Sequence, residues 1–302
     1  MESGGRGTGD GAGEREAEEG AMSNVQVIIS PAKKMRRAGA GTPADDVAPR
    51  GIPPFPEVSR RLAERLRSMG RDELQALWKT SDRLTGECLE ATRRLEVPRN
   101  LAEARGARMA ATLTPAILTY DGIQFRSMAP EVLEGPALEW LQAHLWVLSG
   151  LHGCVRPLDA VMPYRLEMGA RLQMDAPADL GPSEEGASRG PTRDLYQFWG
   201  DAIERHVAAG ADVVVNLASV EYARSVVPCL GDVPCVTCVF GEDLRAGRPV
   251  QRSTASKAAR GSMVRWMAER ALDDPDDLRH FDVGYHFDEG LSEPGHLVFM
   301  RA

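Results

Sequence analysis

The segment whose residue types and spacing most clearly suggest ligand binding is VLSGLHGCVRPLD, Val147–Asp159. Gly150 and Gly153 allow tight turns, a helix is expected to end at the first of them, and Pro157 suits the first turn of a new helix. Exposed backbone N–H groups at such a joint can bind a phosphate oxygen, with Arg156 beside them. This is how a helix–hairpin–helix element holds a nucleic-acid backbone. That signature has Gly-apolar-Gly, whereas two residues separate these glycines, so a plain helix–helix corner remains an alternative.

A second basic segment is SPAKK, Ser30–Lys34, which directly follows an apolar run expected to be a strand. Loops at the carboxyl ends of strands are where open α/β sheets bind ligands. Lys33 and Lys34 could therefore contact phosphate, and the alternative is an ordinary solvated loop.

A third basic segment is SKAARGSMVRW, Ser256–Trp266, within a predicted helix. At 100° per residue, Lys257 and Arg260 fall within one broad face. Gly261 in mid-helix costs about 1 kcal/mol relative to alanine, and such a glycine usually allows another backbone or a ligand to approach closely. The alternative is a basic surface strip.

Two further segments, PYRLEMGARL and NLASVEY, are rich in polar side chains. Carboxylates beside an arginine could serve acid–base chemistry, and the end of a strong strand is a good place for a polar site. Structural ion pairs and helix capping are the alternatives. A functional role for these segments would indicate an enzyme that acts on a nucleotide or nucleic acid. Its site would comprise Arg165, Glu167, Asn216, Ser219, Glu221 and Tyr222.

The cysteines do not predict a metal site. Only Cys229, Cys235 and Cys238 cluster, whereas structural zinc takes four ligands, and positions i and i+3 of a strand point to opposite faces. Nucleophile-elbow, Walker, HExxH and Rossmann patterns do not occur, which counts against common hydrolases, P-loop enzymes and nicotinamide oxidoreductases. We therefore predict no metal and no cofactor.

Charge is unevenly distributed along the chain. The formal net charge is −8, but residues 1–24 carry six acids against two arginines, and residues 269–302 carry nine acids against three arginines. The intervening body is therefore mildly basic, and local fields steer ligands more than the total does. No apolar run approaches the about 18 residues that span a bilayer, and no secretory signal is evident. A cytoplasmic protein without membrane contact is expected.

Element patterns predict a single α/β (mixed α+β) domain over residues 25–302, after a disordered acidic tail over residues 1–24. It has a central mixed sheet flanked by helices and a helix–hairpin–helix-like element. Helices are expected within 57–92 as an αα-hairpin, and over 130–148, 194–207 and 254–272. Strands are expected at 25–30, 116–120, 211–217 and 233–240, with a closing hairpin from 281–288 and 296–300, and loops at 38–56 and 175–192.

Segments spread along the chain resemble the YaaA family of bacterial proteins linked to peroxide stress. In order they are ISPAK, SDRL, YDG, LSGLHG, RPLD, PYRLEMG, DLYQFWGD, NLAS-x-EY, ARG-x-M and GYHFDE…LVFMR. The resemblance covers residue 25 to the C-terminus. Two features depart from the family pattern: Ala258 stands where a second lysine can occur, and the three clustered cysteines are not part of it.

The resemblance implies a role in limiting unincorporated iron during hydrogen peroxide stress, which protects DNA and protein. It also implies a helix–hairpin–helix element and binding of DNA, without sequence specificity, in a basic cleft. By matched position, Gly150, Gly153 and Arg156 take the hairpin role. Lys33, Lys257 and Arg260 are assigned to the cleft from their charge. The leading hypothesis is a DNA-associated stress protein that is not an enzyme or is only weakly enzymatic; the oligomeric state is left open.

Overall fold

The computed structural model describes residues 23–37, 39, 41, 47–175, 180 and 190–302. Residues 1–22 of the predicted tail, residues 38, 40 and 42–46 of the loop predicted at 38–56, and residues 176–179 and 181–189 of the loop predicted at 175–192 lie outside the described residues. None of the helices in the described part combines the length and the apolar character that crossing a bilayer requires.

The secondary structure alternates between short strands and helices. The strands are β1 Val25–Ile29, β2 Thr114–Pro115, β3 Leu145–Ser149, β4 Gly153–Val155, β5 Ala160–Val161, β6 Met174–Asp175, β7 Pro191–Thr192, β8 Val213–Leu217, β9 Cys235–Gly241, β10 Asp243–Arg245, β11 Arg248–Val250, β12 Tyr285–Phe287 and β13 His296–Arg301. The α-helices are α1 Pro56–Ser68, α2 Arg71–Trp78, α3 Asp82–Arg94, α4 Leu101–Arg105, α5 Ala107–Ala110, α6 Ala116–Thr119, α7 Ile123–Met128, α8 Gly135–His144, α9 Leu195–Trp199, α10 Ala202–Val207, α11 Val220–Ala223 and α12 Ser253–Glu269.

Seven strands form a mixed central sheet in the order β12-β13-β9-β8-β1-β3-β4. The five inner strands are parallel, and the two edge strands, β12 and β4, run antiparallel to their neighbours. The inner strands β1, β3 and β8 are fully buried, which explains their continuous apolar and β-branched sequence. The predicted mixed α/β fold with a helix-flanked sheet is confirmed.

The chain order creates a crevice beside β1. From β1 the chain crosses to β3 on one side, and it later returns to β8 on the other side of β1. The loops that leave β1 and β8 therefore separate at adjacent strand ends, which is the position where open α/β sheets bind ligands. We call this end of the five parallel strands the carboxyl edge.

The predicted helix–hairpin–helix element is wrong. Helix α8 ends at His144, and Leu145–Ser149 is strand β3, paired with β1 on one side and with β4 on the other. The glycine joint is consequently the turn of a β-hairpin. A short apolar run fits a buried strand as well as a helix, and burial on both faces beside β1 decides in favour of the strand.

Other local predictions differ in detail. Residues 116–119 form a helix instead of a strand, and residues 57–92 form three helices instead of two. The helix predicted over 194–207 is divided at Gly200, which has a φ of 54° and ends α9. The strands predicted at 25–30, 211–217 and 233–240 and the closing β12–β13 hairpin are confirmed.

Helix α12 packs closely against α7, and Gly261 permits the contact. A Cβ at Gly261 would lie 2.0 Å from the carbonyl oxygen of Gln124 in α7. The prediction that this mid-helix glycine allows a close approach is confirmed, and the approaching group is a backbone. The side-chain amide of Gln124 in α7 donates to the Ser30 carbonyl oxygen just after β1 at 3.3 Å, so the packing against α7 holds α12 beside the carboxyl edge.

Candidate functional site

Two serines join the loops that leave β1 and β8. The backbone N–H of Ser219 donates to Ser30 Oγ at 2.8 Å, and the two hydroxyl oxygens lie 3.0 Å apart. Both side chains are half-buried. The pair fixes the two loops relative to one another, so the side chains that follow on each loop have a defined separation.

Lys33 and Arg165 hold Glu167 between them. Lys33 Nζ lies 2.7 Å from Glu167 Oε2, and an Arg165 terminal nitrogen donates to Glu167 Oε1 at 2.9 Å. Arg165 is only 13% exposed, and its Nε has no hydrogen-bond acceptor among the described residues. A largely buried guanidinium with an unused donor is a group that an acceptor on a ligand could satisfy.

Glu221 is the second carboxylate of this region. Its Oε1 accepts a hydrogen bond from the backbone N–H of Gly169 at 2.9 Å. The neighbouring Tyr222 is buried. Burial, together with the nearby Tyr164 and Glu221, raises the pKa of Tyr222 well above its usual range, so the phenol stays protonated at neutral pH.

An open pocket of about 640 Å³ lies between these charged loops and α2. Its charged side carries Arg165, Glu167 and Glu221, three of the six polar residues singled out from the sequence. Asn216 lies elsewhere: its side chain accepts from the N–H of Ala218 and donates to Thr237 on β9, a structural role. Ser219 and Tyr222 adjoin the pocket residues in the chain without lining the pocket.

A group of cations surrounds Asp121, directly beside the loop that follows β1. Lys34 Nζ lies 2.6 Å from Asp121, an Arg126 nitrogen lies 2.8 Å away and an Arg36 nitrogen 3.9 Å away. We call Lys34, Arg36, Arg126 and Asp121 the basic cluster; it carries a formal excess of two positive charges. Burial by itself would raise the pKa of Asp121, but hydrogen bonds from Lys34 and Arg126 bring it below the usual value.

The first half of α12 brings further basic residues to the same edge. Ser256 Oγ lies 3.5 Å from the carbonyl oxygen of Phe240, near the end of β9, so α12 begins at the carboxyl edge. Lys257 is exposed, whereas Arg260 is half-buried and its Nε has no acceptor among the described residues. Burial lowers the pKa of Arg260 from its ordinary value, and the nearby Cys238 opposes that shift.

The glycine joint does not expose a phosphate site. Gly150 and Gly153 are buried, and the Trp199 indole N–H donates to the Gly150 carbonyl at 3.1 Å. A Cβ at Gly150 would lie 2.6 Å from the Leu166 carbonyl oxygen, so the chain itself covers the turn. The expectation of exposed backbone donors here is therefore wrong.

Arg156 also lies away from the other predicted basic residues. Strand β4 runs antiparallel to β3 and carries Arg156 to the start of β3, where the guanidinium donates to the Leu145 carbonyl oxygen at 3.3 Å. It stacks on the Trp146 ring at 3.5 Å from the centroid, and burial lowers its pKa to about 10. Arg156 thus supports the opposite edge of the sheet.

Within the part of the chain that the structure describes, no group of three or more His, Cys, Asp or Glu side chains is placed to hold a metal ion. Cys229 is exposed, Cys235 is half-buried and Cys238 is buried. Burial raises the pKa of Cys238 to about 12, so this thiol stays protonated at neutral pH.

Comparison with known proteins assigns the family. A family model described as "Peroxide stress protein YaaA" matches residues 25–291. A UPF0246 protein of Desulfitobacterium hafniense is 36% identical over 280 residues, which cover 92% of this chain and 98% of that protein. A UPF0246 protein of Laribacter hongkongensis is 38% identical over 282 residues, covering 91% and 98% respectively. The chain belongs to the peroxide stress protein YaaA family. The resemblance noted in the sequence is confirmed.

Sequence reasoning missed some residues that shape this YaaA-family site. Asp121 lies in the YDG segment, but its partners come from a different loop and from α7, so no local pattern shows the basic cluster. Trp78 of α2 lines the pocket, and no sequence pattern singled it out. The run of basic residues after β1, which includes Lys34 and Arg36, was the available signal for the cluster, but it does not indicate Asp121 or Arg126.

Proposed function

We propose that this YaaA-family member acts in the peroxide stress response by binding the DNA backbone at the carboxyl edge. The binding surface consists of the basic cluster and the exposed first half of α12 with Lys257. It reads no base sequence, because cations that contact phosphate fix position and carry no sequence information directly.

The observation that carries the proposal is the charge imbalance at Asp121. Three cations share one buried carboxylate, and Lys34 is 73% and Arg126 60% exposed. A pairing that served stability alone would need only one cation, whereas this arrangement leaves positive charge facing solvent. Phosphates that neutralise such charge release condensed counterions, which makes binding favourable and salt-dependent.

A duplex-binding titration at increasing salt concentration tests the proposal. We expect affinity to fall steeply between about 50 and 200 mM salt. Lys34→Gln with Arg126→Gln should reduce the slope of log affinity against log salt by about 0.9 for each phosphate that the variant no longer neutralises. Arg83→Gln on α3, which is 87% exposed and remote in sequence, is the control. Binding that is absent, or insensitive to salt, would refute the proposal.

Asp121→Asn provides a test in the opposite direction. It removes the counter-charge while keeping a side chain of nearly the same shape, so the cluster gains one net positive charge. DNA affinity should rise and its salt dependence should steepen. Misfolding would lower affinity, so a rise separates the electrostatic effect from damage to the structure.

We also propose that the protein limits unincorporated iron during peroxide stress and so protects DNA and protein. The support is membership of the family together with the resemblance. Low-temperature electron paramagnetic resonance of whole cells measures unincorporated iron. After peroxide treatment, cells lacking the protein should contain more unincorporated iron than cells carrying the wild-type chain. Equal amounts of unincorporated iron would contradict this role.

The pocket favours a second candidate, an enzyme acting on a nucleotide or nucleic acid. The observation is that Arg165 and Glu167 from one segment and Glu221 from another line one pocket. Incubation of the protein with nucleotides and with DNA, followed by chromatography of the products, tests it. Turnover that Glu167→Gln abolishes would support the candidate, and no turnover of any substrate would exclude it.

A further inference from the structure

The pocket has two walls of different character. One wall comes from the end of α1 and from α2, where Met69, Leu77 and Trp78 line the space. Met69 and Leu77 are half-buried, so they present apolar surface to the pocket. The opposite wall is the charged group formed by Arg165, Glu167 and Glu221. A volume of about 640 Å³ lies within the range of about 300–1,000 Å³ typical of small-molecule sites.

Two N–H donors of the pocket lining have no acceptor. They are Arg165 Nε and Trp78 Nε1, and neither has a hydrogen-bond partner among the described residues. Trp78 is only 3% exposed, so its indole N–H is also shielded from bulk water. A buried donor without a partner is destabilising, and an acceptor on a ligand can remove this cost after a small adjustment of the side chains.

The mouth of the pocket carries two cations. Lys79 and Arg171 are both exposed, and neither forms a salt bridge with any described residue. In contrast, Glu167 is neutralised by Lys33 and Arg165, and Glu73 accepts from the backbone N–H of Gly70. The rim is therefore the part of the pocket that favours an anion.

We propose that this pocket binds a mononucleotide, with the base against Met69 and Leu77, the base edge toward Glu167 and Glu221, and the phosphate at Lys79 and Arg171. The apolar wall accommodates a flat ring, and carboxylates accept hydrogen bonds from exocyclic amino groups of bases. The two rim cations match the phosphate, which lies at the end of the nucleotide opposite the base. This inference deepens the second candidate function and rests on the same pocket.

Calorimetric titration of the full chain with the four common nucleoside monophosphates, their nucleosides and inorganic phosphate tests the inference. We expect at least one monophosphate to bind more tightly than its nucleoside and than inorganic phosphate. Lys79→Gly together with Arg171→Ala should weaken monophosphate binding about tenfold or more and leave nucleoside binding unchanged. Lys79 has a φ of 52°, so glycine removes the charge without straining the backbone.

Arg83→Gln is the matched control, because Arg83 is exposed and its ion pair is with Glu87 on the same helix. No heat from any monophosphate at millimolar concentration, or equal loss in the control and in the double variant, would overturn the inference. Inorganic phosphate binding as tightly as the nucleotides would overturn the role of the apolar wall. Binding without turnover would support the inference and refute the enzymatic candidate, and DNA binding is measured separately through the basic cluster.

Discussion

Replacing two helix-interior glycines by alanine should change stability in opposite directions. Gly261 of α12 faces the backbone of α7, whereas nothing lies within 4 Å of the position that a Cβ would take at Gly86 of α3. Alanine at an open helix position stabilises by about 0.5–1 kcal/mol because it loses less backbone entropy on folding. Gly86→Ala should therefore raise the free energy of unfolding by this amount.

The geometry at Gly261 reverses the sign. The added Cβ would lie 2.0 Å from the Gln124 carbonyl oxygen and 3.1 Å from the Met128 backbone nitrogen. Contacts under 3.0 Å essentially never occur at real Cβ atoms, so the two helices must separate by about 1 Å. Overpacking of this kind costs about 1–3 kcal/mol, and the gain in helix propensity offsets about 1 kcal/mol of it. We expect a net loss of up to about 2 kcal/mol.

Urea unfolding followed by far-ultraviolet circular dichroism measures both changes. The two variants should keep the wild-type dependence of free energy on urea, with the midpoint lowered for Gly261→Ala and raised for Gly86→Ala. The pair shares one chemical substitution, so a difference in sign isolates the packing between α7 and α12. A midpoint raised by Gly261→Ala would show that the two helices do not pack as closely as the structure has them.

Three further substitutions test the buried interior. Burial raises the pKa of Asp159 to about 7 and lowers that of His152 to about 3. Between about pH 4 and 6.5, the folded state therefore gains stability from Asp159 as pH falls and loses it through His152, so the two effects oppose each other. Urea titrations across this pH window measure the free energy of unfolding of each variant. Relative to the wild type, that free energy should fall with decreasing pH in Asp159→Asn and rise in His152→Gln, each by up to about 1.4 kcal/mol per pH unit. Profiles identical to that of the wild type would contradict the pKa shifts assigned to Asp159 and His152. Gly153→Ala should lower the thermal midpoint in calorimetry by the equivalent of about 1–3 kcal/mol, because φ is +73° and Trp199 lies 3.0 Å from the added Cβ; an unchanged midpoint would contradict the strain.

Burial on both faces explains which strands the sequence could reveal. β8 reads Val-Val-Val-Asn-Leu, a β-branched run that has few helical alternatives, and it was predicted within two residues. β3 reads Leu-Trp-Val-Leu-Ser and directly follows an amphipathic helix, so its apolar residues extended the helical pattern. Only the pairing of β3 with β1, more than a hundred residues earlier, distinguishes the two conformations.

The sequence predicted the position of site residues that directly follow a strand. It did not predict positions that depend on which strands pair. Lys33 and Glu221 follow β1 and β8, which were predicted as strands, and both line the pocket together with Glu167, which contacts Lys33. Arg156 was assigned to the phosphate-binding joint because it follows the glycines closely in sequence. The direction of β4 takes it to the other edge, and that direction depends on the hairpin.

The glycine joint retains a role in the site, although it does not expose donors to a phosphate. Because Gly150 has no side chain, the Leu166–Glu167 backbone packs directly on it; a Cβ there would lie 2.6 Å from the Leu166 oxygen and 3.1 Å from the Glu167 carbonyl carbon. The segment held in this way carries Arg165 and Glu167 into the pocket. Any side chain at position 150 would displace that segment outward and lengthen the distance between Glu167 and Lys33. The glycine joint therefore positions the charged wall of the pocket: its close packing fixes the segment that carries Arg165 and Glu167, and those side chains contact the proposed ligand.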